Sequence, residues 1–159
     1  MNVIRRELRP VSSGRFSDWV RRTFTRPAPR ARVIAPPTVH LGAPLEVEWW
    51  LWHDAPAISL VTVSLVGTEI ARRRISARTG ISIVTETRPF LVLEIDRQAP
   101  DEGSPVASGH VEALVPARTV PSLFGKLNEI AWALIVEASY QNVTILRQEF
   151  PLAVLPGAG

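Results

Sequence analysis

The sequence predicts an all-β domain: an antiparallel sandwich of about seven or eight strands, preceded by a short amphipathic helix. Three observations point there. From about Arg32 onward apolar residues recur with period two, the spacing that sends alternate side chains to opposite faces of a sheet. Turn-forming clusters punctuate that region at intervals of about 8–15 residues, the rhythm of a sandwich, and no clear helices alternate with the strands. The composition, 46% hydrophobic and 21% charged over 159 residues, supplies ample apolar material for one core.

Residues 1–31 read as a basic arm. Within it, residues 13–25 form the helical candidate, because Phe16, Trp19, Val20 and Phe24 fall on one stripe at helical spacing. Arg15, Arg21, Arg22 and Arg26 lie mostly off that stripe, and Ser13 or Ser17 suits the start. About three turns of helix are marginal alone in water, so the stripe needs something to pack against. Pro27 and Pro29 then favour an extended linker.

The sandwich is expected over residues 32–159. In residues 45–53, Leu45, Val47, Trp49 and Leu51 alternate with Glu46, Glu48, Trp50 and Trp52, which reads as a strand with one buried face. Residues 58–67 are β-branched and strand-like; a turn is expected at Gly67 and a further strand over 69–76. Residues 81–95 read as a strand interrupted by Pro89, hence a bulge, an edge or two short strands. A turn cluster at 99–105 precedes a strand over 108–116. The stretch 127–140 satisfies both periodicities, and its place in an array of strands favours a strand. Residues 143–156 close the domain with Pro151 in the middle. Pro44, Pro89 and Pro151, near strand ends or middles, would blunt sheet edges.

Charge is split along the chain. Residues 1–32 hold nine arginines against Glu7 and Asp18, a net of +7, and residues 33–159 hold nine basic and thirteen acidic groups, a net of −4. The overall +3 therefore describes an arm rather than a domain. A mildly acidic body argues against nucleic acid, which calls for a basic face with stacking aromatics. The absence of cysteine excludes disulfides, thiolate metal sites and cysteine nucleophiles. No run of about 18 apolar residues is present to span a bilayer, and the polar, arginine-rich start does not read as a secretory signal. The expected location is the cytoplasm, or the periphery of a membrane.

Several short signals resemble the arrestin-like sandwich, including its compact bacterial versions related to sporulation-control proteins. Residues 41–52 are similar to that family's early strand, where a glycine-bearing turn precedes alternating apolar residues ending in tryptophan. Leu65, Gly67 and Glu69 match an L-x-G-x-E pattern. Pro121, Ser122, Phe124 and Gly125, followed by Ile130, Trp132, Leu134 and Val136, match a proline-serine pair, an aromatic, a glycine and an I-x-W-x-L-x-V strand. Residues 150–156 resemble the closing strand. The resemblance covers residues 33–156 and implies a sandwich with an adaptor-like habit. It transfers no binding residues: classical arrestins have two such sandwiches, and their phosphate-sensing polar core has no counterpart in this sequence.

Catalytic chemistry finds little support. His53 beside Asp54 is a fragment of a triad, but no G-x-S-x-G supplies the nucleophile. His40, His53 and His110 lack zinc-binding spacing, and neither phosphate-loop pattern occurs. No cofactor and no metal are expected. Glu46 and Glu48 share a strand face, which ordinarily means solvated carboxylates, yet Trp50 and Trp52 continue the same face. Either the N-terminal helix covers those tryptophans or a partner does. In the Arg72-Arg73-Arg74 run arginines project to both faces; Arg73 is expected either to pair with a carboxylate or to sit at the sheet margin, and an anion patch with Arg78 is a further reading. The expected function is that of a non-enzymatic adaptor or structural component. It would bind a protein partner through arm residues Phe16, Trp19, Val20, Arg21, Arg22 and Phe24 and through the face of Trp50 and Trp52. The alternative is a peripheral protein held to anionic lipid by the basic helix.

Overall fold

A computed structural model describes residues 4–11, 29–53, 58–101 and 104–157. They form ten strands: Arg6–Leu8 (β1), Arg30–Ala35 (β2), Thr38–His40 (β3), Pro44–Trp52 (β4), Leu60–Ala77 (β5), Gly80–Gln98 (β6), Val106–Leu114 (β7), Leu123–Phe124 (β8), Asn128–Tyr140 (β9) and Val143–Leu155 (β10). One sheet has the order β1-β2-β4-β7; the other runs β3-β10-β9-β5-β6, with β8 on β9. Every pairing is antiparallel except β3 with β10. The expectation of seven or eight strands undercounts, because β1, β3 and β8 have only two or three residues each and carry no periodicity to detect. There is no helix among the described residues, and the predicted helix over 13–25 lies outside them.

The core lies between the sheets, where the alternation of β4 places it. Leu45, Val47, Trp49 and Leu51 are fully buried and meet Val61, Val63 and Leu65 of β5, Leu134, Val136 and Ala138 of β9, and Phe150 and Val154 of β10. Of residues 127–140, ambiguous in sequence, all but Leu127 lie in a strand because β9 is central. It pairs with β5 on one side and β10 on the other, so twelve of its backbone positions find ladder partners across β5 alone. The β9–β10 hairpin closes on Gln141 and Asn142 at φ 49° and 63°, two successive left-handed residues, as a two-residue type I′ turn requires. A side-chain bond ties the two sheets together: buried Trp49 donates from Nε1 to Asp96 Oδ2 of β6 at 2.8 Å.

The four-stranded sheet takes in residues from the N-terminal arm. Arg6–Leu8 pairs with β2, Leu8 enters the core at 5% exposure, and Val11 N donates to Glu149 O of β10 at 2.8 Å. Hydrophobic patterning does not reveal β1, since its one inward residue is a single leucine among arginines.

Gly67 is not a turn. β5 runs unbroken from Leu60 to Ala77, and the reversal comes at Arg78-Thr79, before Gly80 with φ 137°. Gly67 is needed for a different reason. The register of β6 slips opposite it, so that Gly67 faces Leu91 while Thr68 faces Pro89. Phe90 is the extra residue of this bulge. Its ring rests where a Cβ of residue 67 would be, with Phe90 Cζ only 2.5 Å from that position. The ring then meets Trp132 edge-on, centroids 5.5 Å apart at 86°, the geometry that aromatic quadrupoles favour. Pro89 thus marks a bulge in one continuous edge strand.

Pro151 is tolerated inside β10 for a reason visible in its neighbours. Glu149 O accepts from Val11 N, and Ala153 N donates to Pro37 O. Backbone groups of alternate residues point to the same side of a strand, so the N–H that Pro151 lacks belongs to the side away from β9.

Candidate functional site

Among the described residues the core is almost wholly apolar, and two surfaces stand out. The first is the outer face of the four-stranded sheet. Register places residues of β2, β4 and β7 in rows across it: Arg30, Trp52 and Val106; then Arg32, Trp50 and Ser108; then Ile34, Glu48 and His110. One end is therefore arginine and tryptophan, the other carboxylate. Arg32 Cζ sits 5.8 Å from the Trp50 ring centroid, a cation–π contact, while its Nη2 pairs with Glu7 at 3.1 Å. Trp52 is 42% exposed and Val106 beside it 38%. Trp50 and Trp52, both predicted for this face, are brought together on it.

At the acidic end Arg5 pairs with both Glu46 and Glu48, the latter at 3.3 Å. His110 Nε2 lies 2.8 Å from Glu46 Oε1. Two carboxylates and an imidazole with ligand atoms within 4.8 Å of one another resemble a cation-binding set. The Arg5 guanidinium already bridges the carboxylates, however, so a dication would have to displace it. Strand parity pairs the two glutamates in sequence but carries no signal for Arg5, just before β1, or His110 of β7, which lie 41 and 64 positions from Glu46. The other two histidines lie elsewhere: His40 Nδ1 is 2.7 Å from Pro156 O, and the His53 backbone N donates to Pro105 O at 2.9 Å. Asp54, the sequence neighbour of His53, is outside the described residues, as are Phe16, Trp19, Val20, Arg21, Arg22 and Phe24 of the arm.

The second surface is the end of the β5–β6 hairpin. β9 pairs with β5 only as far as Ala71, and one more bond, Arg72 N to Leu127 O at 2.7 Å, ends the sheet there. From Arg73 to the turn the two strands continue as a ribbon with no third strand among the described residues. Five residues of overhang reach about 17 Å. Arg72 is tied to Glu129 at 2.8 Å and Arg73 to Glu86, in keeping with the carboxylate partner expected for Arg73. Arg74 and Arg78 have no side-chain partner among the described residues. Beside them Ile75, Ile81, Ile83 and Val84 are 47%, 72%, 64% and 37% exposed. Sequence patterning marks two strands in this region without showing that they pair with each other; Arg78-Thr79-Gly80 between two β-branched runs is the signal that could have shown it.

Elsewhere on β6, Arg97 grips Glu94 through Nε and Nη2 at 2.8 and 2.7 Å. These hydrogen bonds hold the Glu94 carboxyl below its ordinary range and raise the guanidinium above its own. On the outer face of the six-stranded sheet, Val66, Ile70, Pro89 and Ala131 line a shallow depression of about 250 Å³ rimmed by Arg147 and Glu149.

The two sheets make a β-sandwich, and a likeness among solved structures supports its resemblance to the arrestin-like fold. Among solved structures the chain is similar to the sporulation control protein Spo0M of Bacillus subtilis. The TM-score is 0.51 at 11% identity, over 84% of this chain and 51% of that one. The chain thus spans about half the length of that structure, and the likeness is one of fold. No family model and no curated protein matches.

Proposed function

We propose that this chain is a non-enzymatic cytoplasmic adaptor that binds a protein partner on the outer face of its four-stranded sheet, with the basic N-terminal arm adding contacts. The observation that carries this reading is the row of Arg30, Trp52 and Val106 beside Arg32 and Trp50. Tryptophan and arginine are the residues most enriched where binding energy concentrates, and on this face they adjoin on a rigid, hydrogen-bonded surface. A rim of carboxylates at Glu46, Glu48 and Glu112 gives the same face a charge gradient that orients whatever docks. The arrestin-like fold supports an adaptor role by resemblance alone.

The test begins with a photo-crosslinking residue at Val106, next to the tryptophans, in the full chain in cells. The captured protein is then purified and titrated against wild type and a Trp50→Ala/Trp52→Ala variant. Hot-spot residues contribute about 2 kcal/mol each, so the double variant is expected to bind at least about thirtyfold more weakly. An unchanged affinity, with the variant's thermal melt intact, would sink the proposal.

A further inference from the structure

From the β5–β6 overhang we infer a second binding element: the ribbon is an attachment site for an anionic lipid surface. This goes beyond the adaptor reading and does not depend on it. It also differs from attachment through the N-terminal helix, since every residue involved lies in β5, β6 or their turn.

Residues 72–86 carry Arg72, Arg73, Arg74 and Arg78 against Glu86 alone, a net of +3 within a body whose residues 33–159 total −4. A basic stretch of an acidic body is therefore the one carried out beyond the end of its sheet. Register sorts the side chains. Arg74 opposes Ile83 and Ser76 opposes Ile81 on one face; Arg73 opposes Val84 and Ile75 opposes Ser82 on the other. Each face thus offers aliphatic side chains with an arginine beside them. Arginine near a negatively charged surface is attracted, and aliphatic groups beside it partition into the boundary between headgroups and acyl chains.

The two-sided exposure separates lipid from protein as the occupant. A folded partner covers one face of a ribbon and leaves the other in water. A fluid interface closes around both, so Ile81 and Ile83 on one side and Ile75 and Val84 on the other are removed from water together. Arginines alone would suffice to keep a bare ribbon edge from pairing with another sheet. That role does not call for isoleucines at 72% and 64% exposure. Insertion stays shallow, because the outer edges of the ribbon bear backbone groups that hydrocarbon cannot satisfy. Arg78 at the turn reaches back to phosphate along its aliphatic stem.

The chain has no cysteine, so Ile81→Cys gives a single attachment point for an environment-sensitive fluorophore on the full chain. Titration with phosphatidylcholine vesicles containing phosphatidylserine should blue-shift and brighten the label, and depth-dependent lipid quenchers should place it near the acyl boundary. Vesicles of phosphatidylcholine alone should have little effect. In co-sedimentation with the same vesicles, Arg74→Gln/Arg78→Gln should bind about thirtyfold more weakly. Ile81→Ser/Ile83→Ser should lose binding while keeping the salt dependence of what remains. All four positions are exposed, so the variants should melt like wild type. Three results would each overturn the inference: no binding to the anionic vesicles, binding by both variants equal to wild type, or a label that stays in water while the protein sediments. The last would assign the ribbon to an acidic protein surface and leave the vesicle contact to another part of the chain.

Discussion

The bond from Trp49 to Asp96 crosses from one sheet to the other, and Gly109 of β7 is what leaves room for it. Its strand pairs with β4, with Gly109 directly opposite Trp49. A Cβ at position 109 would overlap the indole at Nε1, lie 2.7 Å from Cε2, and stand 2.5 Å from Asp96 Oδ2. A Gly109→Ala substitution therefore forces a methyl group between donor and acceptor. Trp49 is fully buried, so the indole cannot swing into solvent to relieve the overlap. Overpacking of this kind costs about 1–3 kcal/mol. A buried N–H left without its acceptor adds about 1–3 kcal/mol. The lower entropy of the unfolded alanine chain offsets about 0.4–1 kcal/mol. The net expectation is a loss of about 3 kcal/mol, read as a lower urea midpoint at unchanged slope. The same alanine in a Trp49→Phe background meets no indole nitrogen, and its added cost there should fall to about 1 kcal/mol or less. If Gly109→Ala costs the same in both backgrounds, the indole is not the reason for the glycine.

A parallel pair of variants tests the bulge: Gly67→Ala should lose about 1–2 kcal/mol by displacing the Phe90 ring from Trp132, and be neutral or stabilising once Phe90→Ala has removed that ring. Leu8→Ala should cost about 2 kcal/mol in urea denaturation, since that side chain belongs to the core, whereas a freely hanging arm would show no change. Titration of Glu94 by NMR should find its carboxyl below the ordinary 4.5, returning upward in Arg97→Gln. The contribution of this pair to stability is present above the unfolded carboxyl's pKa and disappears as pH falls through the lowered folded value, so a stability–pH profile should lose that acid-limb component in the variant. Arg147→Ala breaks half-buried pairs to Glu137 and Glu149 at 2.9 and 3.2 Å, still open enough to solvent that stability should change by about 1 kcal/mol or less.

Legibility in the sequence follows the strength of the local pattern. The inward set Leu45, Val47, Trp49 and Leu51 is readable because strict alternation over nine residues admits one assignment. β9 is half-readable: its apolar positions satisfy two periods, and only its neighbours β5 and β10 decide between them. Gly67 misleads because a glycine between β-branched runs signals a turn locally. Its actual partner, Phe90, is 23 positions away and invisible to any window. The ribbon escapes for a related reason, since exposure of Ile81 and Ile83 depends on where β9 stops, not on their own identity. Parity alone places Trp50 and Trp52 on the right face, but Arg5, Arg32 and His110, which give that face its charge, are supplied by other parts of the chain.

β10 is the last strand along the described chain, yet β3, at its far side, has no other partner in the sheet; Thr38–His40 waits for Ala153–Leu155. Some 115 residues separate the two. At about 5–20 residues per second of synthesis, Thr38–His40 is made roughly ten seconds before the strand it pairs with. During that interval β3 has no sheet to join, and contacts of such long sequence separation also close slowly. A chain without Val143–Leu155 leaves both β3 and one edge of β9 unpaired, and should therefore be a preferred client of chaperones that hold exposed strands, a dependence that restoring those residues should end.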